Sequence, residues 1–230
     1  MGIKERQDRE KQAVRQSILD AARDLFTTEG YRNVSIRKIA ERIEYSPAAI
    51  YSYFAGKDDI YLALAEDGFR LLDEKVKSAR GDGSPLAEVR AGWWAFYEFS
   101  KEQPAYFELM FVDRSVPKIT EGWEGFEILQ ALLTDATAGL QRAVEAGELP
   151  PAVNPCAAMH VLWGALVGPS VLGLCQRLAP GEDADLLARD VLDSVLAGLA
   201  SGRPLTFNPR ECFVENPVAP DPVGVPVNES

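Results

Sequence analysis

The residues Val34-Ser-Ile-Arg-Lys-Ile-Ala-Glu-Arg-Ile-Glu-Tyr-Ser-Pro-Ala-Ala-Ile-Tyr-Ser-Tyr-Phe54 read as two short helices joined by a tight turn. Ser35 is placed to N-cap the first, which runs to about Ile43 and buries Ile36, Ile39, Ala40 and Ile43. Ser46 caps the second, and Pro47 takes its first helical position, where a missing N–H costs nothing. That second helix, about 47–53, turns Ile50 and Phe54 inward, with Ala49 beside them, and leaves small and hydroxyl side chains at its start. This is the layout of a helix-turn-helix that lays its second helix in the DNA major groove.

Working outward, Val14, Ile18, Ala21, Ala22, Leu25 and Phe26 recur at three- and four-residue steps and predict an amphipathic helix over roughly 11–29, stopped by Gly30. Ala55-Gly56 breaks the chain, and Lys57-Asp58-Asp59 opens a long helix to about Ala79 with acids at its positive end. Further helices are expected over 85–102, 104–112, 121–146 (ending at Gly147), 155–178 (kinked near Pro169) and 183–200. Beyond Gly202 the prolines forbid regular helix. No strand alternation occurs, so the fold class is all-α. Three parts are expected: a helix-turn-helix domain over 11–71, a helical effector-binding and dimerisation domain over 72–202, and an extended or disordered proline-rich tail over 203–230.

The net charge of −11 conceals an asymmetry. Residues 1–57 hold 11 Lys+Arg against 8 Asp+Glu, so +3, while the remainder holds 13 against 27, so −14. A basic head on an acidic body favours binding to phosphate by one face only. Lys4, Arg6, Arg9 and Lys11 form either an arm reaching a neighbouring groove or a solvated tail. No apolar run reaches the ~18 residues of a membrane span, the longest candidate being Val161–Leu174, and the charged N-terminus is no secretory signal. Cys156, Cys175 and Cys212 lack metal-ligand spacing and are expected to be reduced thiols of a cytoplasmic protein. One histidine, no paired nucleophile and base, and no phosphate loop argue against an enzyme and against a cofactor.

The motifs Gly30-Tyr-Arg-Asn-Val-Ser-Ile-Arg-Lys-Ile-Ala40 and Tyr45-Ser-Pro-Ala-Ala-Ile-Tyr-Ser-Tyr-Phe-Ala-Gly-Lys-Asp-Asp-Ile60 resemble the TetR family of bacterial transcriptional repressors. The match covers roughly 11–71 and includes Ile18-Leu-Asp-Ala-Ala-Arg-Asp-Leu-Phe-Thr-Thr-Glu-Gly30. The resemblance implies that Tyr51, Tyr53 and Lys57 clamp backbone phosphates, that Ser35 does so from the first short helix, and that Arg37 reaches a phosphate or a base edge. Ser46, Pro47, Ala48, Ala49 and Ser52 would meet the groove. The residue types suit these roles: tyrosine hydroxyls and a lysine fix register on phosphates, and small side chains let a backbone approach base edges. Three positions depart from the family pattern. Glu44 stands where the turn usually has glycine, so a positive φ is expected at a non-glycine residue; Ala48 and Tyr53 replace a usual glycine and histidine.

In the body, aromatic residues crowd 90–126. Trp93, Trp94, Tyr97, Phe107, Met110, Phe111, Trp123 and Phe126, with His160 and Trp163 as polar handles, are expected either to line an effector pocket or to form a dense core. Such a lining suits a small apolar or aromatic effector. Pro104–Phe111 and Trp163-Gly-Ala-Leu-Val-Gly168 resemble a TetR C-terminal subgroup that carries Trp, then His-Gly four residues on; Val167 stands here in place of that histidine. The last two helices, about 155–178 and 183–200, read as a homodimer interface or as an internal pair, with Leu187, Val191, Val195, Ala197 and Leu199 on the second. A two-fold dimer would bind a palindromic double-stranded operator. The function expected is a ligand-released homodimeric repressor; a constitutive dimeric regulator or activator is the alternative.

Overall fold

The computed structural model describes residues 3–113 and 127–209, and among them every regular element is helical. A head is built from α1 (Ile3–Glu29), α2 (Ile36–Arg42), α3 (Pro47–Tyr51) and the first turns of α4 (Lys57–Ala79). The body comprises the rest of α4, then α5 (Pro85–Glu102), α6 (Pro104–Phe107), α7 (Glu127–Glu145), α8 (Pro155–Leu174) and α9 (Ala184–Ala200). A one-turn π-helix, Glu108–Val112, continues α6. It replaces the single short helix expected over 104–112.

Local chemistry explains where the helices begin and end. Ser84 Oγ accepts from Ala87 N, Asn154 Oδ1 from Cys156 N and Ala157 N, and Asp183 Oδ1 from Asp185 N and Leu186 N. Each cap satisfies N–H groups that the helix itself cannot. Gly30 and Gly147 stop α1 and α7 at φ +79° and +75°. α1 begins eight residues earlier than periodicity alone predicts, because its charged first turns support themselves locally: Arg6 pairs with Glu10 at 2.9 Å and Arg9 Nε donates to the Glu5 carbonyl.

The head core packs Ile18, Ala22, Ile39 and Ile50 at zero exposure, and each large aliphatic chain so buried contributes about 1.5–3 kcal/mol. In the body, α5 runs between α4, α7, α8 and α9. Its far side is tied to α9 by Tyr97 Oη donating to Asp185 (2.8 Å) and by the paired Arg90–Asp193 bonds at 2.7 and 3.0 Å. The hydrogen bonds from Lys101 and Tyr97 hold the Asp185 carboxyl below its usual range.

α8 is more apolar than expected from the sequence: an 18-residue window of this 20-residue helix has a mean hydropathy of 1.5, enough to cross a membrane by length and composition only, a property that core helices share. Pro169 lies inside it without ending it. Met159, Leu162 and Leu166 are buried on its inner face, whereas Gly164, Gly168 and Leu172 are exposed on the outer one. On α9, Leu199 is only 2% exposed and belongs to the chain's own core, not to an outer face. Cys156 takes part in a disulfide, against the expectation of reduced thiols, and Cys175 is a free, exposed thiol.

Candidate functional site

The turn between α2 and α3 aims the exposed residues. Glu44 sits at φ 59°, and the N–H groups of Glu44 and Tyr45 return to the carbonyls of Glu41 (3.3 Å) and Ala40 (2.9 Å). This paired closure satisfies orphan carbonyls at the end of α2 and needs the left-handed backbone that glycine adopts without cost. A left-handed non-glycine residue costs about 1–3 kcal/mol, partly offset by glycine's larger unfolded-state entropy. The Glu44→Gly variant should therefore raise Tm by roughly 1–4 °C in a thermal melt; a lower Tm would show that the Glu44 side chain contributes more than its backbone strain costs.

Beyond that turn, Ile50 and Phe54 anchor α3, leaving Ser46, Pro47, Ala48, Tyr51 and Ser52 exposed; Ala49 is half-buried. Ser35 Oγ and Ser46 Oγ each accept a capping bond, from Lys38 N and Ala49 N, both at 3.2 Å. A capping serine still carries a hydroxyl proton, so both can donate to a phosphate. Ser52 is different: its hydroxyl donates to the Ala49 carbonyl at 2.6 Å, which leaves lone pairs able to accept from a base amino group. Arg37 pairs with Glu41 at 2.8 Å while remaining 81% exposed, a contact that nucleic acid can displace at little cost. Tyr51 is 57% exposed, and Tyr45, which sequence reasoning passed over, is 45% exposed beside the start of α3. Tyr53 is half-buried against the head core.

Lys57 is more committed than its expected role suggests. Its ammonium donates to the Tyr31 and Val34 carbonyls at 2.8 and 2.9 Å and lies 3.9 Å from the centre of the Tyr31 ring. One of its three protons remains for a phosphate. Burial lowers its pKa. Tyr31 in turn donates to Asp58, so this cluster welds the head to the start of α4.

A cavity of about 80 Å³ lies in the body between α4, α5 and α7, several times the roughly 10–15 Å³ that one water needs. Of the residues expected to form a pocket, Trp93, Phe111 and Trp163 line it. Trp94 instead donates to Glu98 and lies under the Arg189 guanidinium, and Tyr97 faces Asp185. Phe107 is packed behind Phe111, and Met110 presses against Gly68. His160 meets the Cys156 carbonyl and the Phe207 ring. Trp123 and Phe126 lie outside the described residues. Most of the wall was not expected: Phe69, Leu72 and Val76 of α4, and Leu129, Leu132 and Leu133 of α7.

The π-helical turn stands between the cavity and the head. Phe111 closes the cavity, its ring 5.4 Å from Phe96 and 6.0 Å from Phe69. Its neighbours face the other way. The Leu109 carbonyl accepts from Tyr61 Oη at 2.5 Å, and a Cβ added to Gly68 would lie 2.5 Å from Met110 Sδ. Just before the turn, the Tyr106 hydroxyl accepts from Arg23 of α1 at 3.2 Å.

Comparison with known proteins agrees with this geometry. Residues 18–64 match the model of the bacterial regulatory proteins, tetR family. The HTH-type transcriptional repressor AcnR of Corynebacterium diphtheriae is 30% identical over 192 residues, 83% of this chain and 93% of that protein. The HTH-type transcriptional regulator RutR of Escherichia coli K12 is 25% identical over 155 residues, 66% of this chain and 72% of that protein. Among solved structures, the transcriptional regulator FadR from Bacillus subtilis in complex with stearoyl-CoA superposes with a TM-score of 0.67 at 17% identity, over 80% of this chain and 98% of that one.

Proposed function

The chain belongs to the TetR family of bacterial regulatory proteins and is a ligand-responsive DNA-binding repressor, not an enzyme; on that premise we propose how its DNA binding is switched. It acts as a homodimer on a palindromic operator in the cytoplasm, and a small, largely apolar effector in the α4–α5–α7 cavity releases it. The outer face of α8, with its exposed Gly164, Gly168 and Leu172, supports pairing with a second copy through α8 and α9 instead of contact with lipid. Ser35, Arg37, Ser46 to Ala49, Tyr51, Ser52, Tyr53 and Lys57 then present to each half-site.

The observation that carries the reading is the position of the π-helical turn, with one side in the cavity and the other on α4, while Tyr106 just before it is bonded to α1. An effector that displaces Phe111 moves the Leu109 carbonyl and Met110, and with them the angle at which α4 holds the head. Release requires only that the effector bind the mis-spaced dimer more tightly than the DNA-bound one.

The test is fluorescence anisotropy with operator DNA, over a salt series, with and without apolar effectors. Tight, salt-steep binding at one dimer per site, weakened by an effector, is expected. Operator affinity that no apolar ligand changes would overturn the release mechanism. The Tyr61→Phe variant separates binding from coupling: it should take up effector normally while the effector's influence on operator affinity shrinks about 2–30-fold.

A further inference from the structure

The cavity is not apolar throughout. Its α4 wall is a single stripe from Phe69 through Leu72 and Val76 to Arg80, eleven residues or about 16 Å along the helix axis. The Phe69 end faces the head and Phe111. At the opposite end three charged side chains converge: Arg80 just past α4, Glu88 in the first turn of α5, and Arg142 in the last turn of α7. Two positive groups and one negative group thus line that end, and Asp135, paired with Arg80 just outside the lining, balances the charge.

Both guanidinium groups lie beside buried glycines, at distances where an added Cβ would make ordinary contact. A Cβ on buried Gly92 would lie 4.0 Å from Arg80 Nε, and one on buried Gly139 would lie 3.7 Å from Arg142 Nη2. The existing ion pairs leave donors to spare. Arg80 Nη2 is 2.7 Å from Asp135, but Arg142 Nη2 is 3.6 Å from Glu88, longer than the roughly 2.7–2.9 Å of a charge-assisted hydrogen bond. A planar five-donor fork held so loosely can take a second anion without giving up a good bond.

A hydrocarbon slot that ends at two guanidinium groups, one of them loosely paired, fits a slender apolar chain that ends in an anionic head. Resting on the reading of this cavity as the effector site, we propose that the effector is such an amphiphile. Its carboxylate or phosphate-bearing head sits between Arg80 and Arg142, and its chain runs along Leu72 and Val76 toward Phe111. A chain long enough to reach Phe111 acts on the head; a shorter one binds without releasing DNA.

The test titrates the full chain, below micelle-forming concentrations, with saturated fatty acids of increasing length, their matched primary alcohols and their CoA thioesters. Tryptophan emission reports binding, since Trp93 and Trp163 line the cavity, and operator anisotropy reports release. An acid or thioester is expected to bind at least about tenfold more tightly than the matched alcohol, the scale of one charge-assisted hydrogen bond. Preference for the acid identifies a carboxylate head, and preference for the thioester a phosphate-bearing one; both support the proposal. In Arg142→Gln, whose side chain is 45% exposed and tolerates replacement, the preference should collapse while alcohol binding is unchanged; Arg80→Gln gives a second, independent reading. Equal binding of charged and neutral ligands by the unmodified protein, or a preference that survives both substitutions, overturns the proposal. In either case alcohols that bind and release DNA would leave the cavity's role as effector site standing. If no ligand perturbs emission or operator binding, both readings fall together.

Discussion

The Ala48→Asp variant should lose operator binding by at least about 100-fold without losing stability. Ala48 is exposed at the second position of α3, one residue after Pro47 and two after the Ser46 cap. In the proposed complex that position meets the groove, where an added carboxylate faces base-edge acceptors and phosphates. Like charges brought together in an interface cost several kcal/mol, and each 1.4 kcal/mol is tenfold in affinity. The same carboxylate lies at the positive end of a helix dipole, which favours it by about 0.3–1 kcal/mol in the free protein. A melt that is unchanged or slightly raised, together with lost anisotropy, would separate recognition from folding. Operator binding within a few-fold of the original would mean that α3 does not enter the groove.

The parts of the fold that were legible in the sequence are those that local chemistry decides. Ser84-Pro85, Ser46-Pro47, Gly30 and Gly147 mark helix ends because capping and left-handed backbone depend on one or two residues. Glu44 needed more. Composition does not announce a positive φ at glutamate, and it was legible only because the turn resembles one in which glycine is usual.

The cavity was much less legible, for a tertiary reason. Periodicity marks which side of a helix is apolar, but not which junction of three helices packs imperfectly. On α5 about 100° separates successive residues, so Trp93 and Phe96 reach the cavity while Trp94 and Tyr97 turn to α9. A count of aromatic residues cannot divide them. The walls from α4 and α7 are largely aliphatic and read as ordinary core, and Arg80, Glu88 and Arg142 read as solvated charges. The one usable signal was spacing: Phe69, Leu72, Val76 and Arg80 keep a helical stripe that ends in a charge facing the same way.

The other large effect expected is at the proposed subunit contact. Gly164 lies on the outer face of α8, is exposed, and a Cβ built there meets nothing within 4 Å. The Gly164→Arg variant therefore disturbs no contact within the subunit, and arginine is favoured over glycine inside a helix by close to 1 kcal/mol. Between two subunits the outcome is opposite. Small residues at Gly164 and Gly168 let paired helices approach closely, and two symmetry-related arginines would place bulk and like charge at that crossing. Analytical ultracentrifugation should show a monomer that retains its helical content by circular dichroism. Operator affinity should fall by about 10²–10⁴, the usual gain from holding two binding modules together, and the salt slope should drop toward half because half as many phosphates are contacted. The thermal midpoint should also fall and lose its dependence on protein concentration, since dimerisation stabilises the folded chain by mass action. A dimeric Gly164→Arg protein would place the interface elsewhere. A monomer that kept full operator affinity would instead show that each head reads DNA alone, leaving no spacing between heads for an effector to alter.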